Sequence, residues 1–278
     1  MVREQRSALL LFAVGMVGLG ALSILFRDFA YSWQPVPIFH PGREVLAVVC
    51  GLFMIAASVA LLFRSTSAIA ARALFVFLII WQLLKVPALV VAPQMEAVWL
   101  GFGEIAVLLA GGWILFARLS RLDEGVFRYI AGPNGIRIAG ILFGLALIPI
   151  GLSHLVYPAI TTSLVPSWMP FRGTWAYITG VGQIACGLGV LFSVLPRAAA
   201  LIEAGMLALF AFLVWGPASW IHSTPKFAGM PPGPRFALTA FFITWVIGAS
   251  ALLVAINISS GRRAVARRSA KGVATSSC

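Results

Sequence analysis

Acidic residues are scarce in this chain: 278 residues include eight Asp and Glu against 20 Lys and Arg, and charged side chains make up only 10%. Soluble domains carry about 25% charged residues, so a water-facing surface over the whole chain is excluded. Cysteine is also sparse. Cys50, Cys186 and Cys278 lie far apart without a Cys-x-x-Cys pair, which excludes a disulfide framework and a dithiol redox centre. His40, His154 and His222 form no His-x-x-x-His pair, so no metal or haem motif is present. A phosphate loop and a serine elbow are missing too, which argues against nucleotide-driven pumps and serine hydrolases. No catalytic constellation is complete, and an enzyme is the less favoured reading.

Apolar residues fill the space that charges leave. They make up 61% of the chain, and the mean hydropathy is +1.00. Eight apolar runs, 8–26, 45–63, 73–91, 97–117, 138–156, 174–195, 198–217 and 236–256, are each long enough to cross a bilayer. Helices satisfy their own backbone polar groups there. The expected fold is therefore all-α, a polytopic transmembrane helical bundle of eight helices. The first run follows Arg3 and Arg6 as a signal peptide would, but it is longer than a signal core and is read as a span.

A net charge of +12 does not point to nucleic acid, because no aromatic and basic reading surface accompanies it. The cations orient the helices instead. With the N-terminus inside, fourteen fall in cytoplasmic segments: Arg3, Arg6, Arg64, Arg72, Arg118, Arg121, Arg128, Arg137, Arg197 and the tail residues Arg262, Arg263, Arg267, Arg268 and Lys271. Five fall outside (Arg27, Arg43, Arg172, Lys226, Arg235), and Lys85 lies within a span. The positive-inside rule then places both termini in the cytoplasm of a cell membrane, that of a bacterial inner membrane being the expectation.

Residues 36–63 recur, ungapped and 129 positions later, as 165–192, with ten identities in 28 pairs. Both copies open on Val-Pro, add Pro41 or Pro170 and then Arg43 or Arg172, carry Gly51 or Gly180 in the apolar run, and close on Leu-Phe. This predicts a tandem duplication of one four-helix unit. Four spans are an even number, so the two repeats are parallel. The expected organisation is a first membrane unit over 1–117, a cytoplasmic connector over 118–137, a second unit over 138–258 and a basic disordered tail over 259–278.

Charge inside a bilayer is costly and calls for a partner or a purpose. Lys85 and Glu104 lie on consecutive antiparallel spans at matching depth, roughly 10 Å below the outer surface at about 1.5 Å per residue. They are expected to pair. Glu203 suits a helix N-terminus, with Arg197 as the nearby partner, and Gln183 suits a bond to a neighbouring helix. Pro87 is expected to kink the third span. The two Val-Pro loops each hold an aromatic between prolines, Phe39 and Trp168, and are expected to fold back over the bundle mouth.

The second half carries a resemblance. Ser153-His154-Leu155 and Tyr157-Pro158 precede Val165-Pro166-Ser167-Trp168-Met169-Pro170; Tyr177, Thr179, Gly180, Gly182, Gln183, Ala185, Gly187, Leu188 and Gly189 follow, then Pro196-Arg197. This set resembles the DoxX family over 137–220, and more weakly over 27–87 through the repeat. The resemblance implies a four-helix membrane bundle per unit, here doubled. It also implies a membrane subunit beside an oxidoreductase, in some members one linked to quinones.

The leading expectation is thus a non-catalytic or accessory subunit that binds an apolar ligand, a quinone or lipid, and assists a membrane redox partner. Its ligand-binding candidates are His154 and Trp168, with Lys85 and Glu104 in the other half. The alternatives are a small-molecule or ion transporter gated by the Lys85–Glu104 pair, and a purely structural assembly protein. The bilayer is the one partner that composition itself demands.

Overall fold

Each apolar run in the sequence is helical in the computed structural model, which describes residues 3–30, 33–122, 124, 125, 127–220 and 234–275, with 259–275 described as backbone. The order is α1 (Arg3–Leu25), α2 (Arg43–Ala60), α3 (Ser67–Val91), α4 (Glu96–Leu119), α5 (Phe127–Ile130) and α6 (Gly132–Val156). Then come α7 (Pro158–Leu164), α8 (Arg172–Leu191), α9 (Pro196–Leu209), a π-helical segment (Phe210–Trp215), α10 (Gly216–Trp220) and α11 (Pro234–Thr275). Counting Pro196–Trp220 as one, eight helices among the described residues are long and apolar enough to cross a membrane. No strand occurs among the described residues.

Local chemistry sets the helix ends. Proline stands in the first turn of α6, α7 and α9, where its missing N–H would have no helical partner anyway. Short connections link α2 to α3, α3 to α4 and α8 to α9, so these neighbours run antiparallel. Pro87 lies inside α3, and a second internal proline, Pro149, inside α6. Each removes one ladder hydrogen bond.

Three features differ from the sequence expectation. The Val-Pro loop of the second half begins with a helix, α7. The seventh span is broken by the π-helical segment. The last helix runs on past the eighth apolar run to Thr275; residues 259–275 hold no proline and several alanines and arginines, which favour helix. His222, Lys226, Asp123 and most of the Pro-rich loop 223–234 lie outside the described residues.

Two helices form the centre. α4 is the most enclosed and packs against α3, α6 and α11. α11 packs in turn against α9, α1 and α4. α2 lies on α1, and α8 on α6. The outer helices turn residues such as Leu52, Val76, Leu83, Val181 and Phe212 outward, where a hydrocarbon solvent suits them.

Glycine sets how closely the helices cross. A Cβ on Gly20 would lie 2.6 Å from the Gly51 carbonyl oxygen, and one on Gly51 the same distance from that of Gly20. In the other half, a Cβ on Gly151 would lie 2.6 Å from the Gly180 oxygen, and one on Gly180 2.8 Å from that of Gly151. Backbone therefore meets backbone where α1 crosses α2 and where α6 crosses α8. Only the absence of a side chain allows it.

At the loop face, away from the N-terminus, Asp28 ties three segments together. Arg43 Nη2 of α2 lies 2.6 Å from its Oδ1, and Arg235 Nη2 of α11 lies 2.8 Å from its Oδ2. The Arg43 guanidinium also donates to the carbonyls of Val36 and Pro37. Arg172 holds the second loop in the same way, donating to the Val165 carbonyl at 2.9 Å.

Candidate functional site

The polar interior of the second half is built on one face of α8. Thr179, Gln183 and Cys186 follow at i, i+4 and i+7, which stacks them on one side of a helix. α6 supplies His154 to the upper end of this row, and α9 supplies Glu203 to the lower end. Gly180 makes the approach possible, since a Cβ there would lie 2.7 Å from that of His154.

His154 is half-buried, with Nδ1 2.9 Å from the Thr179 hydroxyl. That hydroxyl lies 2.9 Å from the Trp175 carbonyl and 3.0 Å from the Ala176 carbonyl, one turn back on α8. A hydroxyl has one hydrogen to give. With it committed to these carbonyls, the threonine oxygen accepts from His154 Nδ1–H. In the neutral ring this tautomer leaves Nε2 as an acceptor. Phe210, the first residue of the π-helical segment, stacks on the imidazole at 6.0 Å between ring centres. π-Helical turns inside α-helices occur frequently at functional sites.

About 6 Å along α8, taking 1.5 Å per residue, lies Gln183. Its Nε2 donates to Glu203 Oε1 at 3.3 Å, and both side chains are buried. Gln183 Oε1 and Glu203 Oε2 have no hydrogen-bond partner among the described residues. The Cys186 thiol lies against the Glu203 backbone. Glu203 thus takes Gln183 as its partner, where the sequence alone suggested Arg197. It lies two turns into α9, too deep to act as an N-terminal carboxylate.

The first half holds a separate charged group. The Glu104 carboxylate is close enough to act electrostatically on Lys85 and on Glu96, so α3 and the start of α4 bring three charges together. Beside them Gln82 donates to the Phe102 carbonyl at 3.4 Å. Glu96 is the member that the sequence reading passed over. Its position at the first helical residue of α4 disguised it as an ordinary N-terminal carboxylate.

The two Val-Pro loops do not cover the bundle mouth. Trp168 is 71% exposed and Phe39 89% exposed. Trp33 is the residue that plugs the loop face of the first half: it is fully buried, edge-on to Trp81 at 6.2 Å, with Phe29 completing the cluster 5.6 Å from Trp81. His154 lies in the last turn of α6, and Trp168 lies in the loop between α7 and α8.

These features fit the class of integral, multi-pass helical membrane proteins. A family described as "Domain of unknown function (DUF8561)" matches residues 143–250, from the middle of α6 into α11. That stretch contains His154, Thr179, Gln183, Cys186, Glu203 and Phe210, and leaves the first four spans outside it. No curated protein and no solved structure matches the chain.

Proposed function

We propose that this chain is a DoxX-like accessory protein of a bacterial inner membrane, built from two parallel four-helix units, that holds a quinone in the second unit beside a membrane redox partner. The duplication draws support from matching contacts. The Gly20–Gly51 crossing has its counterpart in Gly151–Gly180, and the Arg43 hold on Val36 in the Arg172 hold on Val165. The neighbours of α1 to α4 also map onto those of α6, α8, α9 and α11.

The His154 ring carries the ligand reading. It is fixed by Thr179, faced by Phe210 and left with an accepting Nε2. An accepting nitrogen pairs with a donor, so the reduced hydroquinone fits better than the quinone. Trp168, exposed in the following loop, stands where a ring enters from the interface. The chain's own role is to bind and orient; electrons pass through the partner.

Protein purified in mild detergent should release an isoprenoid quinone on solvent extraction, and His154→Ala should lower the yield several-fold. Wild-type protein that carries none and binds no added short-chain hydroquinone overturns the reading. The Lys85, Glu96 and Glu104 group supports a second one, a transporter gated by the Lys85–Glu104 pair. Proteoliposome uptake of a substrate that survives Lys85→Met with Glu104→Gln eliminates the gate.

A further inference from the structure

On the N-terminal face, remote from His154, a cavity of about 380 Å³ opens between α1, α9 and α11. Its rim is polar. Arg3 and Ser7 come from the first two turns of α1, and Arg197 from the first turn of α9, where residue 195 provides no side-chain cap. The helix N-terminus adds partial positive charge and unpaired N–H groups to those of the guanidinium. Glu4 is the one opposing charge among the lining residues, leaving the rim net positive by one.

The wall below the rim is apolar. Leu201 lies one turn beyond Arg197 on α9, and Ile256 and Leu252 are one turn apart on α11. Because α9 runs away from this face and α11 towards it, all three extend from the rim into the membrane's depth. Two arginines above a strip of aliphatic side chains match one kind of molecule, with an anionic head and a hydrocarbon tail.

We propose that this cavity is a binding site for an anionic phospholipid, its phosphate between Arg3 and Arg197 and one acyl chain along Leu201, Leu252 and Ile256. The occupant seals the seam between the first and second sets of helices, since α1 comes from one and α9 and α11 from the other. Basic pockets between membrane helices hold such headgroups elsewhere. Binding to the folded protein alone also stabilises it by mass action.

Native mass spectrometry of the full-length protein in detergent tests this, with phosphatidylglycerol, phosphatidylcholine and inorganic phosphate added in separate arms. One phosphatidylglycerol should stay bound per chain, raising the melting temperature, while phosphatidylcholine binds weakly. Arg3→Ala with Arg197→Ala should weaken phosphatidylglycerol about thirtyfold, at about 1 kcal/mol per arginine. Leu252→Trp, which keeps both arginines and fills the tail path, should also lose the lipid. Equal retention of both lipids, or unchanged binding in the double arginine variant, overturns the proposal. Full displacement by millimolar phosphate would make it a site for free anions and also overturn it. A double variant that does not fold leaves the decision to Leu252→Trp.

Discussion

Arg235 Nη2 lies 2.8 Å from Asp28 Oδ2, so the first residues of the last helix are bound to the connector that follows the first helix. Burial pushes the Asp28 carboxyl up, but hydrogen bonds from Arg235, the Phe29 N–H and Arg43 outweigh it and hold the group below the ordinary carboxylate range. A depressed folded-state value means that this stabilisation is present above the unfolded value, about 3.9, and is lost as pH falls through the folded one. Asp28→Asn should therefore lower thermal stability at pH 7 by about 1–2 kcal/mol, a figure reduced for the partial exposure of the cluster. It should also flatten the acid limb of a melting-temperature profile in detergent. An unchanged acid limb would show that the clamp contributes nothing.

The glycine crossings predict steric failure in both halves. Gly51→Val and Gly180→Val each drive a side chain into a carbonyl oxygen, which stands 2.6 Å and 2.8 Å respectively from where the new Cβ would lie. Each should cost about 1–3 kcal/mol, the range for overpacking. Gly205, with nothing within 4 Å of an added Cβ, should tolerate alanine and serves as the control. Detergent melting curves separate the two outcomes.

Gln183 and Glu203 present two acceptor oxygens without a donor among the described residues, and a proton on the carboxyl would supply one. Glu203→Gln supplies the same donor through an amide and should keep stability within about 0.5 kcal/mol of wild type. Gln183→Leu removes the hydrogen bond to the Glu203 carboxyl and should cost about 1–2 kcal/mol. Equal behaviour of the two variants would count against a hydrogen-bonded pair.

Lys85 and Glu104 should behave as a couple. Either neutral variant, Lys85→Gln or Glu104→Gln, should lose about 1–2 kcal/mol, less than a fully buried pair because both groups are half-buried. The charge-swapped protein, carrying Lys85→Glu and Glu104→Lys together, should recover part of that loss. Glu96 favours that recovery, because it faces a carboxylate at position 104 in the wild type and would face an ammonium there after the swap. A double-mutant cycle with no coupling would dissolve the pair.

The eight spans were legible because a bilayer demands about twenty apolar residues in succession, a condition that needs no tertiary information. The glycines at 51 and 180 were legible as repeat positions, and their close crossings follow from the same fact. Gln183 was legible as a residue that bonds a neighbouring helix, but its partner Glu203 was not. The short connection from α8 to α9 makes those helices neighbours, but helix order does not say which faces meet. The pairing of Thr179 with His154 and of Gln183 with Glu203 therefore came only from packing. Trp33 and Trp168 are chemically alike, and only packing against Phe29 and Trp81 buries the first. The π-helical segment carries no glycine or proline in Phe210–Trp215 to announce it.

That segment also has a consequence for chain length. A π-helical turn holds one residue more than the α-helix around it, so the seventh span contains a surplus residue between Phe210 and Trp215. Removing one residue there should leave a continuous α-helix with its ends little changed, whereas the same deletion in α8 would rotate Gln183 and Cys186 off their face by about 100°. The span that bears on His154 is thus a place where this bundle's chain can be shortened at small cost.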